Sequence, residues 1–311
     1  MTMHDWGRKT PVAMVVFNRP ETTSKVFAEV ARAKPKRLFV IADGPRMNRS
    51  EESGKCAHVR KMVQTVDWPC ELTVNFSDEN LGCKRRLATG LTWLFDQTEE
   101  AIILEDDCVP HPTFFRFADE LLERYRDEPR VAQVCGVNFN GGHRGDADSF
   151  YFSRYPHIWG WASWRRAWKH YDVAMQAWPS LRETDWLSQL LGSERQAAYW
   201  KARFDKVHSG QLDTWDYQWT FACWKNSMVS AIPRSNLISN VGFGADATHT
   251  KRKGSSLENM PAGGIEFPLV APKSISRNQD EDNHTDRMFF SGSRTLQGLV
   301  RRALGWLRGR A

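Results

Sequence analysis

The chain has 311 residues, of which 41% are hydrophobic and 26% charged. These ordinary values exclude intrinsic disorder for most of the chain and leave ample length for one large α/β domain or two small ones. The net charge of +6 comes mostly from arginines in the acid-free last residues, which argues against a nucleic-acid partner.

The cysteine pattern and the hydropathy of the chain indicate the cellular compartment in which the protein works. The six cysteines form no CxxC pair and show no regular spacing, so neither a zinc site nor a disulfide framework is indicated. The first residues have no apolar segment typical of a signal peptide, and no apolar run approaches the roughly 18 residues that a membrane span requires. We therefore expect a cytoplasmic protein.

The first part of the chain alternates between strand-like and helical patterns. Short apolar runs separated by helical patterns are typical of a parallel sheet whose crossover helices cover both faces. A helix predicted from about Pro112 to Arg126 has apolar residues at steps of three and four and a charged opposite face. We therefore predict a βαβ sheet and a first unit over residues 10–138. The strand-like runs are VAMVVF, RLFVIA, ELTVNF, AIILE and VAQVCGV.

The pattern is less regular after Asn138. A loop rich in Gly and Asp, a strand-like run, a cluster of tryptophans, helices up to about Lys225 and two short strands indicate a second half over residues 139–250. The tryptophans can fill a core or stack on sugar rings. Residues 251–291 are predicted to be loop or partly disordered. Residues 292–311 are predicted to form a basic amphipathic helix that can lie on an anionic membrane or pack against protein.

The sharpest chemical signal is an acidic run directly after a buried strand. Glu105, Asp106 and Asp107 follow the apolar residues AIIL. Adjacent carboxylates repel, and a site that brings them together usually neutralises them with a divalent cation that also takes phosphate oxygens. In open α/β sheets, ligands bind outside the carboxyl ends of the strands, which is where this run emerges. On its own, such a run can equally be a helix cap or solvated surface.

Other strand ends point to the same crevice. Arg19 follows the first strand and can grip a phosphate through two N–H groups, and Asp43 follows the second and can accept from a base N–H. The segment ENLGCKRR, with Lys84 and Arg85, opens a helix whose free N–H groups favour phosphate. Each feature alone has an ordinary alternative: a surface arginine, an Asp-Gly turn or solvated basic side chains. Their coincidence favours a nucleotide site.

These residues carry a resemblance to a known family. The segments VVFNRPETTSKVF, IADGP, ENLGCKRR and LEDDCVPHPTFFRF resemble the nucleotide-sugar-binding half of a GT-A glycosyltransferase. The segments HIWGWASWRRAW, DTWDYQW and PRSNLISNVGFGADATHT resemble bacterial glycosyltransferases of the nucleotide-diphospho-sugar transferase superfamily and, more distantly, the N-acetylglucosaminyltransferase I family. The resemblance covers about residues 10–250. It implies a GT-A (Rossmann-like) α/β fold, with a mostly parallel sheet, helices on both faces and a smaller irregular acceptor-side half.

The resemblance also implies a metal site and a catalytic base. Asp107 would bind Mn²⁺ or Mg²⁺, and His249 would be a further ligand. Asp216 would deprotonate the acceptor hydroxyl, with Asp213 as the rival candidate.

The resemblance implies a set of donor-binding residues as well. They are Arg19 on the diphosphate, Asp43 on the nucleotide base, Lys84 or Arg85 on the base or phosphates, and Glu105 and Asp106 on the ribose and the donor sugar.

The sequence therefore predicts a metal-dependent inverting glycosyltransferase that moves a sugar from a nucleoside-diphosphate sugar, foremost a UDP-sugar, to a hydroxyl of a glycan or lipid-linked acceptor. An enzyme of this kind would suit the inner face of a bacterial cell membrane. Two alternatives stay open: a sugar-1-phosphate nucleotidyltransferase, although the first strand lacks its Gly-rich loop, and a catalytically silent carbohydrate-binding protein. The chain departs from the family pattern in having contiguous Glu-Asp-Asp instead of Asp-x-Asp and in showing no C-terminal acceptor domain, which leaves the acceptor open.

Overall fold

A computed structural model describes residues 9–140, 148–243 and 257–290. His249 and the tail over residues 292–311 lie outside the described residues, so the roles expected of them stay predictions. Within the described ranges, no helix combines the length and the apolar character that crossing a membrane requires.

The strands and helices alternate as the apolar runs predict. The strands are β1 (Val12–Val16), β2 (Arg37–Ala42), β3 (Glu71–Phe76), β4 (Glu100–Glu105), β5 (Cys108–Pro110), β6 (Val131–Cys135), β7 (Phe150–Ser153), β8 (Trp161–Trp164), β9 (Val229–Pro233) and β10 (Ile238–Asn240). The helices are α1 (Pro20–Ala33), α2 (Ser50–Val63), α3 (Gly82–Gln97), α4 (Thr113–Arg124), α5 (Arg165–Trp168), α6 (Trp178–Arg182), α7 (Trp186–Leu191), α8 (Glu194–His208), α9 (Asp216–Lys225) and α10 (Gln279–Thr285), which a π-helical turn at Asp286–Phe290 extends.

Eight strands of the described chain form one twisted sheet in the order β3-β2-β1-β4-β8-β6-β9-β7. Strands β3, β2, β1 and β4 run parallel, as do β6 and β9, whereas β8 is antiparallel to both its neighbours and β7 is antiparallel to β9. The predicted α/β class with a mostly parallel sheet is therefore confirmed. The strands of the second half join the sheet of the first half, so both halves share one sheet.

The core consists of two apolar layers, one on each face of the sheet. Met14 and Leu104, which are paired in register, belong to the layer under α1, α2 and α4. Ala13 and Ile103, one position earlier, belong to the layer under α3 and α5 to α9. This alternation explains the unbroken apolar runs, because a strand covered on both faces needs apolar side chains at every position.

Most of the tryptophans fill the second layer. Trp161, Trp178, Trp219 and Trp224 are fully buried there, and Trp164 is fully buried in the first layer. Core packing is thus the main use of the tryptophan cluster.

The described part of the segment predicted as loop, residues 257–290, contains helix α10 and is tied to the sheet by buried ion pairs. Asp282 contacts Arg154, and Glu281 contacts Arg234, with all four side chains at least nine-tenths buried. In the sequence, these acidic residues make the segment look like a loop. In the structure they face arginines, so the helix lacks the apolar stripe from which periodicity predicts a helix.

Candidate functional site

The carboxyl ends of β1 and β4 border a cleft of about 380 Å³. These two strands are neighbours, but the chain leaves β1 towards β2 on one side and reaches β4 from β3, so the strand order reverses between them. Open α/β sheets bind ligands at such a switch point. Helices α8 and α9 and the residues before α9 supply much of the remaining lining, and single residues of α3 and β10 and the segment before β8 complete it.

Arg19 and the acidic run meet in this cleft. Arg19 Nη1 donates to Asp107 Oδ2 at 2.9 Å, and Arg19 Nη2 donates to Asp106 Oδ1. The backbone N–H of Phe17 donates to Asp106 Oδ2 at 3.2 Å, which fixes the orientation of this carboxylate. Arg19, Glu105 and Asp107 line the cleft, whereas Asp106 is buried. Asp106 therefore holds Arg19 in place.

The local charges leave the site with an excess of carboxylates. Burial and the neighbouring Asp107 and Asp106 raise the pKa of Glu105 to about 8. Burial also raises the pKa of Asp106, although Arg19 opposes that effect. Burial disfavours the charge of Arg19, but the two carboxylates outweigh it and raise its pKa. One guanidinium thus faces three acids, and the remaining negative charge favours a bound cation.

The residues of the cleft can bind a hard divalent cation only if a bound diphosphate or water completes the coordination shell. Within the described ranges, no three His, Cys, Asp or Glu side chains come together as a complete metal site. Glu105 and Asp107 do reach the cleft. Mg²⁺ and Mn²⁺ commonly take one or two carboxylates and complete their shell with phosphate oxygens and water. The pair therefore suits a cation that arrives with a diphosphate.

A small second sheet, formed by β5 and β10, restrains Asp107. Strand β10 pairs with β5, and the backbone N–H of Val241 donates to the carbonyl oxygen of Asp107 at 2.9 Å. Gly242 then lies so close that a Cβ there would come within 2.7 Å of Asp107 Cγ. The NLIS strand predicted from the sequence thus positions the acidic run, which local sequence patterns could not show.

Asp216 lines the same cleft as Asp107. It is the first residue of α9, and the hydroxyl of Thr214 donates to its Oδ1. The partial positive charge at the N-terminus of a helix stabilises a carboxylate at this position. Asp213, the rival candidate, is exposed and lies outside the cleft lining.

Asp43 is buried, and both oxygens of its carboxylate accept hydrogen bonds. Its Oδ1 accepts from the backbone N–H groups of Gly44 and Leu81 at 3.0 and 2.8 Å. Its Oδ2 accepts from Gly82 N at 3.0 Å and from Asn80 Nδ2 at 3.1 Å. These four donors occupy the acceptor positions of the carboxylate, so Asp43 fixes the loop that opens α3.

Lys84 and Arg85 lie on the first turn of α3, outside the cleft lining. Lys84 is half-buried and Arg85 is exposed. Their neighbour Cys83 does line the cleft, and burial raises the pKa of its thiol.

Several cleft residues are not among the site residues predicted from the sequence. Arg203 comes from the middle of α8, and Trp159 and Trp215 supply aromatic surface beside Tyr217. Burial disfavours the charge of Arg203, but Tyr199 and Tyr217 outweigh it and raise its pKa. Trp159, Trp215 and Tyr217 lie in the segments HIWGWASWRRAW and DTWDYQW that carry the resemblance, but the sequence did not show which of the aromatic residues there face the cleft.

Comparisons with known proteins find only distant structural similarity. No protein-family model matches the sequence, and no curated protein matches it significantly. Similar solved structures include a mannosyltransferase from Pyrobaculum calidifontis in complex with GDP-Man and Mn²⁺, which is 16% identical over 49% of this chain with a TM-score of 0.35. The match covers 44% of the mannosyltransferase chain, less than half its length. A UDP-glucose pyrophosphorylase complexed with UDP-glucose is 8% identical over 72% of this chain and 90% of its own, with a TM-score of 0.34. Likeness at this level carries no argument about chemistry.

Proposed function

We propose that this chain is a divalent-metal-dependent, inverting glycosyltransferase that takes a sugar from a nucleoside-diphosphate sugar, foremost a UDP-sugar, and transfers it to a hydroxyl of a glycan or lipid-linked acceptor. One observation carries the proposal: a single cleft at the switch point of the sheet is lined by Arg19 and Asp107 and also by Asp216. A cation and metal-ligating carboxylate suit a diphosphate, and a separate carboxylate suits an acceptor hydroxyl.

Arg19 and Asp107 would hold the leaving diphosphate. Arg19 presents a planar fork that Asp106 has already oriented, so it loses little freedom when it binds phosphate. Asp107, with Glu105 beside it, would hold Mn²⁺ or Mg²⁺ together with the diphosphate oxygens. Such a cation would neutralise the charge that develops on the leaving group.

Asp216 would act as the general base. Its carboxylate would take the proton of the acceptor hydroxyl as the hydroxyl oxygen bonds to the anomeric carbon and the bond to the diphosphate breaks, leaving the electron pair on the diphosphate. Attack from the face opposite the leaving group inverts the anomeric centre. Thr214 donates to Oδ1 of Asp216 and would leave Oδ2 for the acceptor.

The nucleoside would lie towards the ends of β2 and β3. Asp43 would act there by positioning the loop from Asn80 to Gly82, because its own oxygens are already engaged. Lys84 and Arg85, on the first turn of α3, would contact the base or the phosphates through their long side chains. A basic tail over residues 292–311 would bind anionic membrane, and its deletion would abolish binding to anionic vesicles without changing donor affinity.

A thermal-shift screen tests the proposal. The protein is melted with UDP, GDP, CDP and dTDP and their common sugars, each with and without Mn²⁺, since a ligand of the native state raises Tm. We expect a shift for one nucleotide that requires Mn²⁺ and is lost in Asp107→Asn. Asp67→Asn, which removes an equal charge at an exposed position outside the cleft lining, is the control and should keep the shift.

Donor turnover separates an enzyme from a binding protein. The wild type should hydrolyse the donor slowly when no acceptor is present, and Asp107→Asn should not. A shift without hydrolysis would favour the silent carbohydrate-binding alternative. No shift with any nucleotide would overturn the proposal.

A further inference from the structure

Arg203 is the second cation of the cleft, and it comes from a different element than the first. It lies in the middle of α8, and its Cζ is 5.0 Å from the centroid of the Tyr199 ring. That ring is in turn packed edge-on against Trp200, with centroids 5.8 Å apart, and at a tilt against Phe290, with centroids 6.0 Å apart. Arg203 therefore rests on an aromatic platform that the half-buried ring of Phe290 completes.

The two arginines of the cleft differ in their partners. Arg19 is paired with Asp106 and Asp107. Across residues 9–140, 148–243 and 257–290, by contrast, no carboxylate lies within 4.0 Å of a nitrogen of Arg203. A half-buried guanidinium that has lost part of its water shell without gaining a counter-ion is a ready binding group for an anion.

The position of Arg203 points to the acceptor rather than the donor. Tyr217, which directly follows the proposed base Asp216, faces the same cleft and contributes to the electrostatic environment of Arg203. Tyr217 also packs against Trp200 at 5.6 Å, on the platform below Arg203. Arg203 thus belongs to the part of the lining that carries the base, whereas the diphosphate already has Arg19.

We propose that Arg203 binds an anionic group, a carboxylate or a phosphate, on the acceptor, so that the acceptor is an acidic or phosphate-bearing sugar. This inference rests on the proposed function, because it takes Asp216 as the base for the acceptor hydroxyl. The planar fork of Arg203 suits both anions, since each presents two oxygens to parallel N–H groups. Tyr217 and Trp159 would cover the apolar face of the sugar ring.

Calorimetric titration with three small probes tests the inference, with UDP and Mn²⁺ present throughout. The probes are glucuronate, glucose 1-phosphate and the neutral methyl glucoside. We expect the wild type to bind at least one acidic probe about tenfold or more tightly than the neutral one. The acidic probe that binds more tightly shows whether Arg203 prefers a carboxylate or a phosphate. Added salt should weaken the acidic probes selectively.

Variants on α8 provide the matched comparison. Arg203→Gln should bind acidic and neutral probes alike, and Arg203→Lys should keep part of the preference because it keeps the charge but not the fork. Lys201→Gln removes an equal charge from the same helix outside the cleft lining and should behave as the wild type does. UDP binding should be unchanged in all three variants.

Each other outcome has a definite meaning. Equal affinity of the wild type for acidic and neutral probes, or a preference that survives Arg203→Gln, would overturn the inference. Loss of UDP binding in Arg203→Gln would also overturn it, because Arg203 would then serve the donor. A wild type that binds no nucleotide with Mn²⁺ would instead overturn the proposed function itself.

Discussion

The backbone of Gly242 lies directly against the carboxylate of Asp107. A Cβ at position 242 would come within 2.7 Å of both Cβ and Cγ of Asp107, closer than side chains approach in folded proteins. The pairing of β5 with β10 creates this contact, and it restrains both backbones from moving apart. The conformation of the carboxylate proposed to bind metal is therefore set by a residue more than 130 positions later in the chain.

Gly242→Ala should displace the Asp107 carboxylate. We expect the affinity for UDP with Mn²⁺ to fall about tenfold or more, which corresponds to about 1.4 kcal/mol. Overpacking should lower the free energy of unfolding by about 1 to 3 kcal/mol, so the variant should still fold. Calorimetric titration and urea denaturation measure the two effects.

Gly263→Ala is the control for that substitution, because nothing lies within 4 Å of the added Cβ. It should bind UDP with Mn²⁺ as the wild type does. Wild-type binding by Gly242→Ala would mean that the position of Asp107 does not matter to the donor site.

Asp216 and Asp213 allow a direct test of the base. Asp216→Asn keeps the shape of the side chain but cannot accept the acceptor proton, so kcat should fall by about 10² to 10⁴ while donor affinity stays nearly constant. Asp213→Asn should change kcat little, because Asp213 is exposed outside the cleft lining. Steady-state kinetics on the donor found in the screen give both values, and a reversed order would make Asp213 the base.

The sequence placed residues in the cleft more readily at the strand ends than on helix α8, for a physical reason. Arg19 and Asp107 follow buried parallel strands, and apolar runs with polar ends are local patterns that a sequence displays directly. Arg203 sits in an ordinary amphipathic helix, and it reaches the cleft only because α8 packs against α9. Strand β8 was also not predicted, because WASW gains its strand conformation from pairing with β4 and β6, far away in the chain.

Asp43 should be essential to stability. In Asp43→Asn an NH₂ group replaces one oxygen and faces two of the four donors, so backbone N–H groups lose their acceptor inside the protein. We expect the free energy of unfolding to fall by about 2 to 3 kcal/mol, measured by urea denaturation. Asp78→Asn, on the exposed loop nearby, should change it by less than about 0.5 kcal/mol. Equal stabilities for the two variants would contradict the role of Asp43 in holding the loop.

His157 should make the folded protein sensitive to mild acid. Burial lowers the pKa of His157 to about 3, so the folded chain keeps this imidazole neutral where the unfolded chain, with a pKa near 6.5, takes up a proton. The stability that neutral His157 provides is therefore complete above about pH 6.5 and is lost progressively as the pH falls towards 3. Between pH 7.5 and 5.5 this single group should lower the free energy of unfolding by about 1 kcal/mol.

His157→Phe isolates that contribution. Phenylalanine keeps an aromatic ring against Phe139, whose centroid lies 4.7 Å from that of His157, and it removes the titration. Buried carboxylates such as Asp282, whose pKa burial raises, titrate with the opposite sign, but they are common to both proteins and cancel in the comparison. Urea denaturation at the two pH values should show a smaller loss of stability for the variant, by about 1 kcal/mol. Equal losses would mean that His157 becomes protonated in the folded state without cost, and that its surroundings admit water or a counter-ion.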